Sequence, residues 1–268
     1  MLKVGIVGIG VIGRAITRAV DRGEVPGVRI VGLCARRPDL ASAFLKTLRE
    51  PPRLCPLDAL AEEANLVVEA AGQAALATIA PAVLERGKDL MVLSVGGLLD
   101  REAWFRLAAL RGCRIYVPSG AIAGLDGVKG AAAGGVSRVA MVSRKPPQGL
   151  RGAPYLTERG IDLMDLTAPL VVFEGSAFEA CRGFPANLNV SAALSLAGIG
   201  ATETRITIVA DPGVDRNMHD IEVEGEFGRL TIHIENVPTA ENPRTGHLAY
   251  LSPIALLKTI ASPLRIGT

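Results

Sequence analysis

The chain has 268 residues, of which 29 are Lys or Arg and 27 are Asp or Glu, so its formal net charge is only +2. Hydrophobic residues make up 49% of the chain, which excludes wholesale disorder and allows a sizeable core in one or two domains. The balanced charge and an aromatic content of 4% argue against nucleic-acid binding and against a membrane-surface role.

Four cysteines are widely spaced and form no C-x-x-C pair, so the sequence predicts neither a zinc site nor a disulfide framework. The apolar start of the chain is broken by glycines, and no uninterrupted apolar run reaches the 18 residues of a membrane span. We therefore expect a soluble, cytoplasmic protein without a metal, which acts on a small molecule and has no nucleic-acid or membrane partner.

The first half of the sequence alternates short apolar runs with segments of helical spacing. Strands are predicted at residues 2–7, 28–34, 66–70, 89–93 and 114–117. Helices are predicted at residues 11–20, 39–48, 74–86 and 100–111. Continuous apolar strands that alternate with helices are typical of a parallel sheet covered on both faces. This half is therefore predicted to be an α/β domain with a doubly wound parallel sheet.

The pattern changes after about residue 120. Helices are predicted at residues 120–135, 173–181, 186–196 and 250–260. Strands are predicted at residues 136–143, 204–210, 218–226 and 230–237, with a hairpin connection at 227–228. Consecutive strands with separate helices indicate a smaller α+β domain with a mainly antiparallel sheet. We expect domains at 1–120 and 121–238, with 239–268 packing back onto the first.

Residues 8–13 read G-I-G-V-I-G, directly after the first strand and at the start of the first helix. In this setting the spacing predicts a Rossmann-type dinucleotide site. Gly8 permits the tight turn, Gly10 lets a pyrophosphate approach the backbone, and Gly13 lets the helix pack closely. The first helical residues, Val11 and Ile12, would offer N–H groups to the phosphates. A glycine-rich turn without a ligand is the alternative.

The end of the second strand bears on the choice between NAD and NADP. NAD-specific domains usually carry an acid there, which binds the ribose 2′-hydroxyl. This chain has Arg36 and Arg37 instead, and two guanidinium groups suit a 2′-phosphate. We expect NADP to be accepted, with a preference for NADP as one possibility and NAD as the other cofactor; a solvated arginine pair is the alternative. Small residues after later strands are further predicted cofactor contacts, namely Ala71, Gly72, Ser94 and Ala121.

All three histidines lie in the second half of the chain. Strand alternation places His219 on one face with Ile221 and Val223, opposite a face of acidic side chains. By the same alternation His233 lies on a polar face, and His247 follows a loop region. A dehydrogenase needs a proton acceptor that titrates near neutral pH. His219 is therefore the candidate base, although a structural role is open for each histidine.

Several segments together resemble the L-aspartate dehydrogenase family over nearly the whole chain. They are residues 5–13, 67–72, 94–97, 119–126 (SGAIAGLD), 143–147 (SRKPP), 173–184 (FEGSAFEACRGF), 185–193 (PANLNVSAA), 211–220 (DPGVDRNMHD) and 242–257 (NPRTGHLAYLSPIALL). The resemblance implies that His219 is the catalytic residue. It also implies cofactor contacts near the nicotinamide at Ala123 and Asn189. The absent acid after the second strand departs from the NAD-specific pattern.

The resemblance implies reversible oxidative deamination of L-aspartate to oxaloacetate and ammonia with NAD or NADP, and a link to pyridine nucleotide biosynthesis. The two substrate carboxylates need cationic or N–H partners, for which Lys145 and the helix start at Asn187 are candidates. A surface lysine is the alternative for Lys145. Two other functions stay open: another amino-acid-pathway oxidoreductase, resembling homoserine dehydrogenase or dihydrodipicolinate reductase, and a non-catalytic NADP(H)-binding sensor. The second-domain sheet could pair with its own copy, so we expect a homodimer.

Overall fold

The computed structural model describes residues 1–185, 188–239 and 242–267, with no side chains described at 242–245. The chain divides into two units. Unit 1 comprises Met1–Pro118 and Tyr250–Ile266, and unit 2 comprises Ser119–Ala249 with Gly267. Among the helices of these ranges, none is long and apolar enough to cross a membrane.

Unit 1 is built on a six-stranded sheet in which every pairing is parallel. Its strands are β1 (Leu2–Val7), β2 (Val28–Cys34), β3 (Arg53–Leu54), β4 (Leu66–Glu69), β5 (Asp89–Val92) and β6 (Ile115–Tyr116). They lie in the order β3-β2-β1-β4-β5-β6. The chain crosses from β3 at one edge back to β4 beside β1, so the doubly wound parallel sheet is confirmed.

Helices connect these strands, and most of the last described helix, from Tyr250 onward, also belongs to unit 1. They are α1 (Val11–Asp21), α2 (Pro38–Leu45), α3 (Leu57–Glu63), α4 (Gln73–Leu84), α5 (Glu102–Arg111) and, numbered last in chain order, α11 (His247–Ala261). The apolar strands bury Ile6, Leu33 and Val68 in one core, which Ile254 and Leu257 of α11 join. Sequence patterns missed β3 and α3, which are only two and seven residues long.

Unit 2 contains a five-stranded mixed sheet. Its strands are β7 (Val136–Lys145), β8 (Leu170–Ser176), β9 (Arg205–Ala210), β10 (Asn217–Gly225) and β11 (Gly228–Asn236). They lie in the order β11-β10-β7-β9-β8, and only the β7–β9 pairing is parallel. The strands β12 (Pro238–Thr239) and β13 (Asn242–Gly246) form a separate pair. The expected α+β unit with mainly antiparallel pairing is confirmed.

The helices of unit 2 are α6 (Leu125–Ala133), α7 (Pro147–Leu150), α8 (Pro154–Glu158), α9 (Ala177–Gly183) and α10 (Asn189–Ala197). The helix predicted over 173–181 is wrong in its first half, because β8 continues to Ser176 before α9 begins. Ser176 and Glu179 form a capping box: Ser176 Oγ accepts from the Glu179 N–H at 3.2 Å, and a Glu179 carboxylate oxygen accepts from the Ser176 N–H at 2.9 Å. This reciprocal cap fixes the helix start at Ala177.

The helix predicted over 120–135 is also too long. Helix α6 begins at Leu125, after a loop in which Gly120 and Gly124 have φ angles of 65° and 75°. Such left-handed backbone interrupts a helix, and glycine adopts it without the usual steric cost. The Ala/Gly-rich segment therefore divides into a loop followed by a shorter helix.

Candidate active site

The glycine turn of unit 1 is closely packed at two of its three glycines. Gly8 has a φ of 102°, and a Cβ at this position would lie 2.4 Å from the carbonyl oxygen of Ala70. A Cβ at Gly13 would lie 2.2 Å from the carbonyl oxygen of Gly8. A Cβ at Gly10, by contrast, would meet no protein atom within 4 Å. The structure thus explains Gly8 and Gly13 by protein packing, and leaves the space at Gly10 for a ligand.

Helix α1 starts directly after Gly10, which caps it without a side-chain hydrogen bond. The N–H groups of Val11 and Ile12 belong to the first turn, which has no partners within its own helix, and they carry the positive end of the helix dipole. Arg14 Nε donates to the carbonyl oxygen of Ile9 at 2.8 Å, which holds the turn in place. These features fit the pyrophosphate of a dinucleotide.

A buried carboxylate organises the neighbouring loops, and the sequence analysis did not identify it. Glu69 ends β4 and is 0% exposed. One of its oxygens accepts from the N–H groups of Ala71 and Gly72, each at 2.8 Å, and from the Ser94 hydroxyl at 3.0 Å. The other oxygen accepts from the Ser94 N–H at 3.0 Å. Glu69 therefore joins the loops that follow β4 and β5. The sequence did contain a signal for this role, because Glu69 is an acidic residue at the end of an otherwise apolar strand.

This arrangement limits what three predicted cofactor contacts can do. The backbone N–H groups of Ala71, Gly72 and Ser94, and the hydroxyl of Ser94, already donate to Glu69. A nucleotide at this edge of the sheet would therefore meet the other surfaces of these residues. Their small side chains still permit a close approach.

Arg36 and Arg37 follow β2 and are both exposed, and Arg37 is the residue before the first turn of α2. Neither guanidinium forms an ion pair with a carboxylate in the parts of the chain that the structure describes. No acid stands at the tip of β2, which ends at Cys34. The two cations are therefore available to an added phosphate.

The predicted base lies in the core of unit 2. His219, Ile221 and Val223 are all buried on one face of β10, as strand alternation predicted. His219 is 1% exposed, and its Nδ1 lies 2.8 Å from the hydroxyl oxygen of Ser143, the residue opposite it on β7. Lys145 lies two residues further along β7, on the same face, and is 5% exposed. Sequence patterns had suggested Lys145 but not Ser143.

Burial controls the charges of this group. Desolvation lowers the pKa of His219 to about 3, and the neighbouring charge of Lys145 contributes to the decrease. Desolvation also lowers the pKa of Lys145 to about 8. At neutral pH the imidazole is neutral and most of Lys145 is protonated. No carboxylate among the residues with described side chains forms an ion pair with Lys145. A buried cation without a counter-charge favours an anionic ligand.

The other two histidines lie in different environments. His233 is half-exposed, and its Nδ1 lies 2.6 Å from a carboxylate oxygen of Asp220. This hydrogen bond raises the pKa of His233. His247 begins α11 and is exposed. Only His219 combines burial with a lysine neighbour, which favours it as the functional histidine.

The remaining predicted residues of unit 2 lie near helix starts. Ala121 and Ala123 belong to the loop before α6, where Asn236 Nδ2 donates to the Ala121 carbonyl oxygen at 2.8 Å. Asn189 is the first residue of α10. Asn187, predicted to bind a substrate carboxylate, lies outside the described residues. Within those residues no group of three His, Cys, Asp or Glu side chains could hold a metal ion.

Asp211 supports the backbone at Lys145, which sequence reasoning did not anticipate. Its N–H donates to the Lys145 carbonyl oxygen at 2.9 Å. Its carboxylate accepts from the Gly213 N–H at 2.8 Å and from Arg144 at 2.6 Å. These two hydrogen bonds lower the pKa of Asp211. The turn after β9 is thus tied to the end of β7, where Lys145 lies.

Two family models match the chain. The one described as "Aspartate dehydrogenase, C-terminal" matches residues 126–260, and the one described as "Homoserine dehydrogenase, NAD binding domain" matches residues 8–118. The first therefore covers the segment with Ser143, Lys145 and His219. The second covers the segment with the glycine turn.

Similar proteins span the whole chain. The L-aspartate dehydrogenase of Methanosarcina mazei is 47% identical over 272 residues, with both chains fully covered. That of Bradyrhizobium diazoefficiens is 48% identical over the whole of this chain and 94% of its own. The crystal structure of aspartate dehydrogenase from Thermotoga maritima superposes with a TM-score of 0.76 at 26% identity, with both chains fully covered. A homoserine dehydrogenase from Thiobacillus denitrificans, with a TM-score of 0.62 at 14% identity over 97% of this chain and 73% of its own, shares the fold.

Proposed function

The chain belongs to the aspartate dehydrogenase family, and from this premise we propose that it catalyses the reversible, NAD(P)-dependent oxidative deamination of L-aspartate. L-Aspartate, water and NAD(P)⁺ give oxaloacetate, ammonia, NAD(P)H and a proton. The observation that carries the proposal is the pair of buried groups in unit 2, a neutral His219 and a cationic Lys145 without a carboxylate partner in the described structure. A dicarboxylate substrate supplies the missing negative charge.

Unit 1 has the features that a nicotinamide dinucleotide requires. The pyrophosphate would lie over Gly10 and accept from the first N–H groups of α1. Arg36 and Arg37 would bind the 2′-phosphate of NADP, so we propose that NADP is used and preferred to NAD. Ala121, Ala123 and Asn189 are the cofactor contacts proposed for unit 2. When bound, the cofactor accepts a hydride at nicotinamide C4.

The residues of unit 2 have distinct tasks in this reaction. Lys145 binds one carboxylate of aspartate, and Asn187 is proposed for the other. The α-ammonium of aspartate must first lose a proton to solvent, and loss of hydride from Cα of the neutral amine then gives the iminium form of iminoaspartate. Water then adds to the imino carbon, and the proton that this water loses passes to the His219 imidazole. Ammonia leaves as the carbonyl of oxaloacetate forms.

Substrate binding also improves His219 as a base. In the free protein burial is the main cause that lowers the pKa of His219, and the charge of Lys145 lowers this pKa further. A carboxylate beside Lys145 offsets that charge, so the proton affinity of the imidazole increases once substrate is bound. The base is thus strengthened at the stage of the reaction that needs it.

Initial rates with variants test the catalytic assignment. His219→Gln should lower kcat for aspartate oxidation by about 10²- to 10⁴-fold, the range of general base catalysis. Binding of NADPH, followed by its fluorescence, should be unchanged. His233→Gln is the matched control, because His233 lies on β11 of the same sheet but is half-exposed. A fully active His219→Gln enzyme would remove His219 from the mechanism.

The cofactor preference needs a separate measurement. Changing both Arg36 and Arg37 to alanine should raise the KM for NADP⁺ and leave the KM for NAD⁺ nearly unchanged. Equal effects on both cofactors would contradict the 2′-phosphate assignment. A third measurement compares initial rates with aspartate, with oxaloacetate plus ammonium, and with L-homoserine. It distinguishes aspartate dehydrogenase activity from that of a related oxidoreductase. Cofactor binding without turnover on any of them would favour the sensor alternative.

Three further features belong to the proposal. We propose that the protein is a homodimer, because two-fold dimers are the commonest assembly and the unit 2 sheet offers a face for pairing. Light scattering of the purified protein tests this. We also propose a cytoplasmic location and a role in supplying iminoaspartate for pyridine nucleotide synthesis. Growth of a strain that lacks its own aspartate-oxidising enzyme, complemented with this chain, tests the role.

A further inference from the structure

Ser143 and His219 form a pair that the sheet holds rigidly. They lie directly opposite each other in the antiparallel pairing of β7 and β10, and their exposed fractions are 0% and 1%. The next two pairs on the same face are apolar and buried, Met141 with Ile221 and Val139 with Val223. The hydroxyl oxygen of Ser143 lies 2.8 Å from Nδ1 of His219. On the other side of the pair the same face carries the buried side chains of Lys145 and Asn217, and the Ser143 hydroxyl is the group that hydrogen-bonds the imidazole.

The contact determines which ring nitrogen is available. In the described part of the chain, the His219 ring is hydrogen-bonded to Ser143 through Nδ1. Nε2 is then the nitrogen left to exchange a proton with a substrate. A ring that rotated by half a turn would present the wrong nitrogen, because its two nitrogens lie on different sides of the ring.

A hydroxyl suits a ring whose proton count changes during the reaction. For Nε2 to take a proton, the neutral ring must carry its own proton on Nδ1, so the Ser143 hydroxyl oxygen accepts from the Nδ1–H both before and after the transfer. A carboxylate at this position could only accept, and it would stabilise the charged ring. The hydroxyl thus keeps the ring in place in each of its protonation states.

We propose that Ser143 is a positioning residue that holds the His219 imidazole through Nδ1, so that Nε2 is the nitrogen that takes and returns the substrate proton. This inference rests on the proposed function of His219 and extends it to the residue that hydrogen-bonds the His219 ring. Ser143 is 0% exposed, and its hydroxyl contacts the His219 ring.

Two variants of Ser143 and one matched control test the proposal. Ser143→Ala removes the hydroxyl, and Ser143→Thr keeps it. Ser137→Ala makes the same change on the same strand, at a hydroxyl that donates to the Glu224 carbonyl oxygen at 3.2 Å. Ser143→Ala should lower kcat by about 10- to 100-fold, as expected when a catalytic group is misplaced. The KM for aspartate should be unchanged, while Ser143→Thr and Ser137→Ala should keep most of the wild-type kcat.

Nitrogen NMR of ¹⁵N-histidine-labelled protein gives a readout that does not depend on activity. The chain has only three histidines, and His219 is assigned by the signals that His219→Gln lacks. The ring-nitrogen signals of ligand-free wild type should show the tautomer of His219 that is protonated on Nδ1, because only this tautomer has a lone pair on Nε2. Those of Ser143→Ala should show a mixture, and those of Ser143→Thr should match the wild type.

The outcomes separate this inference from the proposed function. If His219→Gln keeps full activity, the assignment of the base is wrong, whatever Ser143 does. If His219→Gln is inactive but Ser143→Ala keeps the wild-type kcat, only the positioning role is wrong. An unchanged His219 spectrum in Ser143→Ala would also overturn it. So would a Ser143→Thr enzyme with a wild-type spectrum that is as slow as Ser143→Ala.

Discussion

Replacing Lys145 by methionine should make the ligand-free protein more stable while it impairs aspartate binding. Burial lowers the pKa of Lys145 to about 8, whereas a lysine in water titrates at about 10.4. At about 1.4 kcal/mol for each tenfold change in proton affinity, the charge of Lys145 opposes folding by about 3 kcal/mol. Methionine has a stem of similar length without the charge, so Lys145→Met should gain up to that amount at pH 7.

The stability gained by Lys145→Met should decrease as the pH rises. Between pH 8 and about 10.4 the unfolded chain binds more protons at this lysine than the folded chain, so the stability of the wild type rises with pH. The full cost of burying the charged Lys145 applies below pH 8. It disappears as the pH approaches about 10.4, the pKa of this lysine in the unfolded chain. The stability difference between Lys145→Met and wild type should therefore be largest at pH 7 and shrink steadily towards pH 10.

Urea unfolding followed by circular dichroism, without substrate or cofactor, measures this difference. The matched control is Lys46→Met, an exposed lysine of unit 1, which should change stability little at any pH. If Lys145→Met were no more stable than wild type at pH 7, or if its advantage did not vary with pH, Lys145 would not be an uncompensated buried cation. A substrate carboxylate at this position would then have no uncompensated charge to offset.

Three further predictions concern both units. Gly10→Ala should unfold at the same urea concentration as the wild type, because its Cβ meets no protein atom within 4 Å. Its Kd for NADPH should nevertheless rise tenfold or more, which is about 1.4 kcal/mol or above. An unchanged affinity would show that the pyrophosphate does not bind at this position. Glu69→Gln should lower the free energy of unfolding by about 1–3 kcal/mol, because a buried amide N–H₂ would face donors that now meet a carboxylate oxygen. The control is Glu85→Gln at an exposed position. Equal urea midpoints for Glu69→Gln and wild type would contradict the role of Glu69. Burial raises the pKa of the Cys181 thiol to about 12, so native protein at pH 8 should leave Cys181 unlabelled by iodoacetamide, as mass spectrometry would show, and urea should expose it.

The parallel sheet of unit 1 followed from its sequence because each strand is a short apolar run with a helix on either side. Such runs are buried on both faces, so burial and sequence pattern agree. The error at 173–181 has a different origin. Strand β8 and helix α9 meet without a loop at Ser176, and apolar spacing alone does not place that boundary. The Ser-x-x-Glu pair at Ser176 and Glu179 does place it, through the capping box.

The candidate site was predictable where one strand determines it and not where several do. Alternation along β10 placed His219 on the buried face, and the structure bears this out. Ser143 could not be found in this way, because its role depends on the register between β7 and β10, which residue order alone does not fix. The burial of Lys145 was equally hidden, since lysine is normally exposed and only the neighbouring strands cover it. Glu69 is similar, because its four donors come from two separate loops.

The helix α11 has a consequence for how the polypeptide matures. Ile254 and Leu257 complete a core whose other buried members lie between Val4 and Met91. During synthesis Ile254 and Leu257 emerge after the residues of unit 2, so this core of unit 1 cannot be completed before then. Unit 2 is free to fold first, although domains usually mature from the amino end. A chain cut before Tyr250 would lack Ile254 and Leu257 and would expose apolar side chains of unit 1. Such a chain would be a substrate for quality-control proteases.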